Sequence, residues 1–282
     1  MIQDQPSRTA HRVALRRAAH QLWDHPRVFE DPIALKIISR DEAAELSGAR
    51  TSDSAPSQSL RAFVAARSRF AEDHLGESWS HGVRQYVVLG AGLDTFAYRN
   101  PYPDLQVFEV DFPATQLWKR KCLEAGGITL PETLTFAPVD FEKDTLANGL
   151  ARAGFRSNES AFFSWLGVTP YLAEQIVLET LRWIASRGLR NGVAFDYAVP
   201  RESLDFFNRM GFDALASRVA AAGEPFVSFF DPEKLAQALR HMGFTRIENL
   251  SSEQINARYY TGRTDQLHVR GRLGRLLCAL TS

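Results

Sequence analysis

The sequence predicts an α/β fold: a Rossmann-like, seven-stranded and mostly parallel sheet with helices on both faces and a helical cap. Three observations predict it. Tyr86-Val87-Val88-Leu89 is an unbroken apolar run that stops at Gly90-Ala91-Gly92. An apolar run ending at glycines is the pattern of a buried parallel strand that opens into a ligand-binding turn. Residues 105–111 form a second such run, with Glu109 and Asp111 at its end. Farther on, apolar runs of strand length at 133–139, 160–166 and 192–198 alternate with longer stretches of helical spacing, the order expected of a doubly wound sheet.

With 282 residues the chain reads as one domain, 1–282, with an N-terminal helical cap over 1–60 and a lid insertion over 200–230. Its formal net charge is +0 and it carries no basic run, which argues against nucleic acid and membrane as partners. Cys122 and Cys278 stand alone, without metal spacing or a disulfide pattern. That usage, a polar start without an apolar signal core and the lack of a membrane-length apolar stretch together predict a cytoplasmic protein. No His/Cys/Asp/Glu cluster calls for a metal.

Residues 10–23 are expected to be helical, because Ala14, Leu15, Ala18, Ala19 and Leu22 recur at helical spacing. Arg16, Arg17 and His20 lie on the same helix, where a solvated basic face is the plain reading. Asp31-Pro32 is expected to start a second short helix, and 47–59 is a loop by composition. The helix over 60–75 has Leu60, Phe63, Val64, Ala71 and Leu75 as its apolar stripe, with Arg61, Arg69, Glu72 and Asp73 on the wet side. Arg67 falls inside that stripe. A buried guanidinium needs an anion, which is either a ligand carboxylate or an internal Asp or Glu. Residues 113–125 read as a helix. So do the stretch into which residues 168–172 lead, through about Ser186, and residues 233–242, the last closed by Gly243. The final strands are placed at 245–250 and 266–270.

The glycine turn and the acidic pair also point to a ligand. Glycine permits a tight turn and lets a ligand approach where a Cβ would stand. Glu109 and Asp111 follow the first glycine at roughly 20 residues, the distance of a ribose-binding carboxylate in a nucleotide-binding βαβ unit. The dinucleotide pattern requires a third glycine where this chain has Thr95. A nucleoside ligand without a pyrophosphate does not need that close approach, so the turn favours S-adenosylmethionine over a nicotinamide dinucleotide. Asp140-Phe141, at a strand end, suits an adenine: the acid accepts from the N6 amine and the ring stacks. A helix-capping aspartate beside a core phenylalanine has the same appearance. Trp165 and Tyr171 either face a sulfonium, whose charge is attracted to aromatic faces, or belong to the core.

The strings LGAGLDTFAYR, VFEVDFPATQLWKRK, VDFEKD and SWLGVTPYL, with the early SRTAHRVALRRAAHQL, resemble the S-adenosylmethionine-dependent methyltransferases abundant in actinobacteria, relatives of the leucine carboxyl methyltransferases. The resemblance runs from about Ser7 to the last strands. It implies S-adenosyl-L-methionine as cofactor, with contacts at Gly90, Ala91 and Gly92. It implies Asp111, with Glu109 close by, at the ribose, Asp140 with Phe141 at the adenine, and Arg67 at the cofactor's carboxylate; Trp165, on the strand expected to border the methyl side, is counted with the cofactor contacts. Arg17, His20 and Tyr171 are placed toward the methyl acceptor. The chain departs from the family where many relatives have Glu before the glycine of an E-G-x-x-x-Y-L motif and it has Leu166. The expected activity is O-methylation of a carboxylate or hydroxyl of a small molecule, with a carboxylic acid as the leading acceptor. The alternatives are an NAD(P)-dependent oxidoreductase and a non-catalytic S-adenosylmethionine-binding protein. A hydroxyl acceptor would need a base, for which His20 and His241 are the candidates.

Overall fold

The protein is described from a computed structural model, which covers residues 8–48, 57–140, 144–187, 190–221, 223 and 225–282. Seven strands form one sheet among the described residues: β1 (Gln85–Leu89), β2 (Gln106–Asp111), β3 (Leu134–Pro138), β4 (Ala161–Trp165), β5 (Gly192–Ala198), β6 (Arg246–Leu250) and β7 (Gly274–Leu280). Their order is β3-β2-β1-β4-β5-β7-β6. The sheet is parallel from β3 to β5, while β7 runs antiparallel to both β5 and β6. Chain order reverses direction between β1 and β4, which opens a crevice at the carboxyl ends of the strands.

The strands are apolar because both faces are covered. One face carries Val87, Leu89, Val110, Phe163 and Phe195 against α5 (Leu146–Arg152), α6 (Glu174–Ala185) and α8 (Pro232–Met242). The other carries Tyr86, Val88, Val107 and Phe162 against α3 (Gln58–Ser80) and α9 (Ser252–Tyr259). A third cluster joins α1 (Arg8–Trp23) and α2 (Arg40–Gly48) to Leu93 beyond the glycine turn and to Leu123 of α4 (Pro113–Ala125). The segment after β5 holds α7 (Phe206–Ala221).

Three expectations are corrected. The second helix starts at Arg40, not at Asp31. Asp31 caps only a turn, accepting from Ile33 N at 3.1 Å, whereas Ser39 and Glu42 exchange hydrogen bonds in a capping box that opens α2. Arg61 is buried rather than wet, and its guanidinium binds Asp24. The stretch 266–270 is not a strand, and it opens at Gln266 with φ +56°. Its alternation is real, with Leu267 and Val269 buried, yet its backbone is satisfied by the side chains of Asn256 and Ser59. The antiparallel strand is Gly274–Leu280 instead, a run buried between β5 and β6. Helices α5 and α9 add to the predicted set; Thr145 caps the first and a Ser251–Gln254 capping box starts the second. Of the loop expected over 47–59, residues 49–56 lie outside the described residues, while 47–48 end α2 and 58–59 begin α3.

Candidate active site

The glycine turn sits at the carboxyl end of β1, with Gly90 at φ +63° and Gly92 at φ +46°. Both values belong to the left-handed region that glycine occupies without strain. The turn is also walled closely. A Cβ on Gly90 would run into Val168, and one on Gly92 would lie 3.0 Å from the Ala10 Cβ of α1. At the end of the neighbouring strand, Asp111 accepts from Gly92 N at 2.5 Å and from Phe112 N at 2.7 Å. Each carboxylate oxygen has a further lone pair for a ribose hydroxyl. Burial raises the Asp111 pKa despite those two N–H donors, so hydroxyl donors from a ligand would relieve it. The next acid, Asp140, lies two residues beyond Pro138, the β3 partner of Asp111. Gly90, Ala91, Gly92, Asp111 and Asp140 are thus brought to one edge. Phe141 lies outside the described residues.

Glu109 does not share that edge. It is 1% exposed, two residues inside β2, and meets Lys119 Nζ of α4 at 2.6 Å. Burial outweighs the lysine and pushes its pKa up to about 7. It ties α4 to the sheet two residues before Asp111.

Thr95, the residue that breaks the dinucleotide pattern, is fully buried. Its hydroxyl accepts from Arg17 and donates to Asp31 at 2.7 Å. Arg17 also reaches Asp94 at 3.2 Å, and Arg99 joins Asp31 to Glu72. Burial works against the Arg17 charge, but Asp31 and Asp94 hold its pKa above the ordinary value. The network clamps α1 onto the glycine turn and occupies the Arg17 head, which sequence reading directed toward the acceptor. The turn passes into a short 3-10 segment, Phe96–Arg99, whose first N–H is taken by Asp94. A pyrophosphate would meet that carboxylate instead of an open helix N-terminus, so the turn does not fit a dinucleotide.

At the ends of β4 and β5, Arg67 pairs with Asp196 at 3.1 Å, and Asp196 also accepts from Gly167 N at 2.5 Å. Gly167 is at φ +73°, and a Cβ there would stand 2.7 Å from both Arg67 terminal nitrogens. The glycine is needed for the arginine to reach the strand end. The internal acid that meets Arg67 is Asp196, late in β5. Trp165 is 4% exposed and packs in the core at the end of β4. Leu166 is half-buried against the opposite core. Tyr171 is half-buried and lies 5.3 Å from the Phe226 ring.

The histidines go elsewhere. His20 is 1% exposed, contacts Asp24 at 2.9 Å through Nδ1, and accepts from Val28 N and Phe29 N at Nε2. Both nitrogens are engaged within the cap, which leaves neither turned to a methyl acceptor. His241 ends α8, which leads into β6; β6 runs parallel to β5, since both oppose β7. His241 therefore lies at the amino edge of the sheet, away from the crevice. A cleft of about 580 Å³ also opens at that edge, between the end of α3 and β6. Its charges are paired, His74 with Glu248, Arg246 with Glu77, Arg258 with Glu248 and Asp73 with Arg69.

A doubly wound sheet with an antiparallel last strand, a glycine turn after β1 and an acid ending β2 defines the class: a Rossmann-like fold built to hold a nucleoside cofactor. The sequence pattern of the family described as leucine carboxyl methyltransferase matches residues 10–185, more than half of the chain, and the chain belongs to that family. It is 33% identical over 296 residues to "Putative S-adenosyl-L-methionine-dependent methyltransferase YktD" of Bacillus subtilis, covering 95% of each chain. A Mycobacterium tuberculosis protein given as "Putative S-adenosyl-L-methionine-dependent methyltransferase" is 32% identical over 242 residues, covering 80% of this chain and 68% of that one. Among solved structures, a "putative methyltransferase" from Thermobifida fusca shares the fold with a TM-score of 0.58 at 14% identity, covering 99% of this chain and 96% of that one. The protein is an S-adenosylmethionine-dependent methyltransferase, and S-adenosyl-L-methionine is its cofactor.

Proposed function

We propose that this chain methylates a carboxylate oxygen of a small organic acid. The observation that carries the reading is the state of the histidines considered as bases: His20 is spent inside the cap, and His241 is at the wrong edge of the sheet. A carboxylate is ionised at neutral pH and needs no base, whereas a hydroxyl does. Membership of a family described by carboxyl methylation supports the same acceptor.

When bound, S-adenosylmethionine supplies a methyl group on a sulfonium, transferred in line as the carbon–sulfur bond gives its electrons to sulfur. The chain's part is alignment. Gly90, Ala91 and Gly92 admit the nucleoside close to the backbone, Asp111 takes the ribose hydroxyls, and Asp140 takes the adenine amine. Arg67, oriented by Asp196 and fitted against Gly167, takes the cofactor's carboxylate. Trp165 borders the methyl side. The cap over 8–48 and the lid holding α7 exclude water above the crevice, in a protein of the cytoplasm. Holding two reactants in line is worth up to roughly 7–11 kcal/mol of a barrier, enough to make positioning the main catalytic device.

The test is turnover with a panel of carboxylic acids and matched alcohols. Expected is S-adenosylhomocysteine formed with an acid, together with a product that releases methanol in alkali. Turnover with alcohols alone, to an alkali-stable ether, would reject the carboxylate.

A further inference from the structure

Helix α1 carries two adjacent arginines in opposite circumstances. Arg17 is neutralised by Asp31 and Asp94. Arg16, the next residue along, makes one hydrogen bond, from Nη1 to the Arg12 carbonyl at 3.0 Å. Its Nε is buried without a partner, and it has no ion pair among the described residues. The charges around it have its own sign: burial, then the guanidinium groups of Arg12, Arg67 and Arg218, pull its pKa down to about 10, and Tyr171 is also close. Elsewhere the molecule neutralises arginines of the cap and strand ends internally, Arg61 with Asp24, Arg67 with Asp196 and Arg99 with Glu72. Arg187 also lacks an acid, but its guanidinium lies over the Phe155 and Trp183 rings.

A guanidinium held among like charges with a desolvated nitrogen is costly to fold around, and an incoming anion removes that cost. The position says which anion. Arg67 belongs to the ends of β4 and β5, on the cofactor side, through Asp196 and Gly167. Arg16 is within electrostatic reach of Arg67, of Tyr171 in the turn after β4 and of Arg218 on α7. We propose that Arg16, flanked by Arg12 and Arg218, is the docking point for the acceptor's carboxylate and makes this enzyme select anionic acceptors over their neutral analogues. The proposal rests on the carboxylate reading above and names the residue that would enforce it. A guanidinium fork can hold a carboxylate and still leave an oxygen lone pair for the methyl group.

The experiment keeps the cofactor's own carboxylate out of play. Wild type and Arg16→Met are titrated calorimetrically with S-adenosylhomocysteine. Each saturated protein is then titrated with sodium acetate, with sodium chloride at matched ionic strength as the control. Expected is an unchanged affinity for S-adenosylhomocysteine and an acetate response in wild type beyond the chloride control. Acetate affinity should fall roughly tenfold or more in Arg16→Met, the loss of one charge-assisted contact. Arg16→Lys should recover part of it, and Arg16→Gln replaces the methionine variant if that one does not fold. Three results overturn the proposal alone: acetate equal to chloride in wild type, an acetate response undiminished in Arg16→Met, or a loss of S-adenosylhomocysteine binding as large as that of Arg67→Met. A wild type that does not bind S-adenosylhomocysteine overturns the methyltransferase reading as well.

Discussion

Asp111 and Glu109 are two residues apart on one strand and differ because one reaches the strand's edge and the other does not. Asp111 takes two backbone N–H groups at the crevice, so Asp111→Ala should lower cofactor affinity by roughly tenfold to a hundredfold, the worth of a charged hydrogen-bond acceptor. Calorimetry on the folded variant checks this, with Asp111→Asn retaining part of the affinity. Glu109 titrates inside the protein. Burial raises its pKa from 4.5 to about 7, so between those values the native state holds a proton that the unfolded chain releases. Its contribution to stability is full below about pH 4.5 and is lost as pH rises through 7. Denaturant unfolding across that range should show the decline in wild type and a flatter profile in Glu109→Gln. Equal profiles would mean that Lys119 keeps the carboxylate ionised throughout. Arg67→Met should weaken S-adenosylmethionine more than 5′-methylthioadenosine, which lacks the amino-acid tail. Arg67→Lys is the control for the Asp196 charge that methionine leaves unpaired. Equal losses for the two ligands would make Arg67 a purely structural partner of Asp196.

Among the elements, α1 links the cap to the site. Its hold on the glycine turn passes through the Thr95 hydroxyl, which contacts both Arg17 and Asp31. Thr95→Val keeps the shape and removes the hydroxyl, leaving buried charged groups short of a partner. A loss of about 1–3 kcal/mol is expected, read as a lower unfolding temperature and as earlier proteolysis within α1. Because Ala10 covers Gly92, cofactor affinity should fall with it. An unfolding temperature equal to wild type would mean that the hydroxyl is not part of the clamp. Helix α8 shows the opposite situation, an element legible in isolation. Asp231 accepts from Glu233 N and Lys234 N at its start, and Gly243 closes it at φ 107°.

Across the whole molecule, the elements that the sequence displayed clearly were those with local causes. Strand β5 and helix α4 appear over the expected residues 192–198 and 113–125, since an uninterrupted apolar run or a proline-led amphipathic stretch requires no distant partner to be recognised. The glycine turn and the acid ending β2 were legible for the same reason, and so was the seven-stranded, mostly parallel architecture. The last strand was misplaced because alternation in 266–270 is the same whether its backbone bonds to another strand or to Asn256 and Ser59. The charged residues of the cap were the least legible. Sequence alone determined that Arg16, Arg17, Arg61, Arg67 and His20 lie on two helices. It could not determine which of them are neutralised, because their partners Asp31, Asp94, Asp24 and Asp196 are set by how α1 and α3 pack on the strand ends. Local periodicity and glycine placement therefore determined the fold and the cofactor edge. Only the tertiary structure decided which charges are spent on holding the cap and which, as at Arg16, remain for a ligand, since a charge is paired through space and not along the chain.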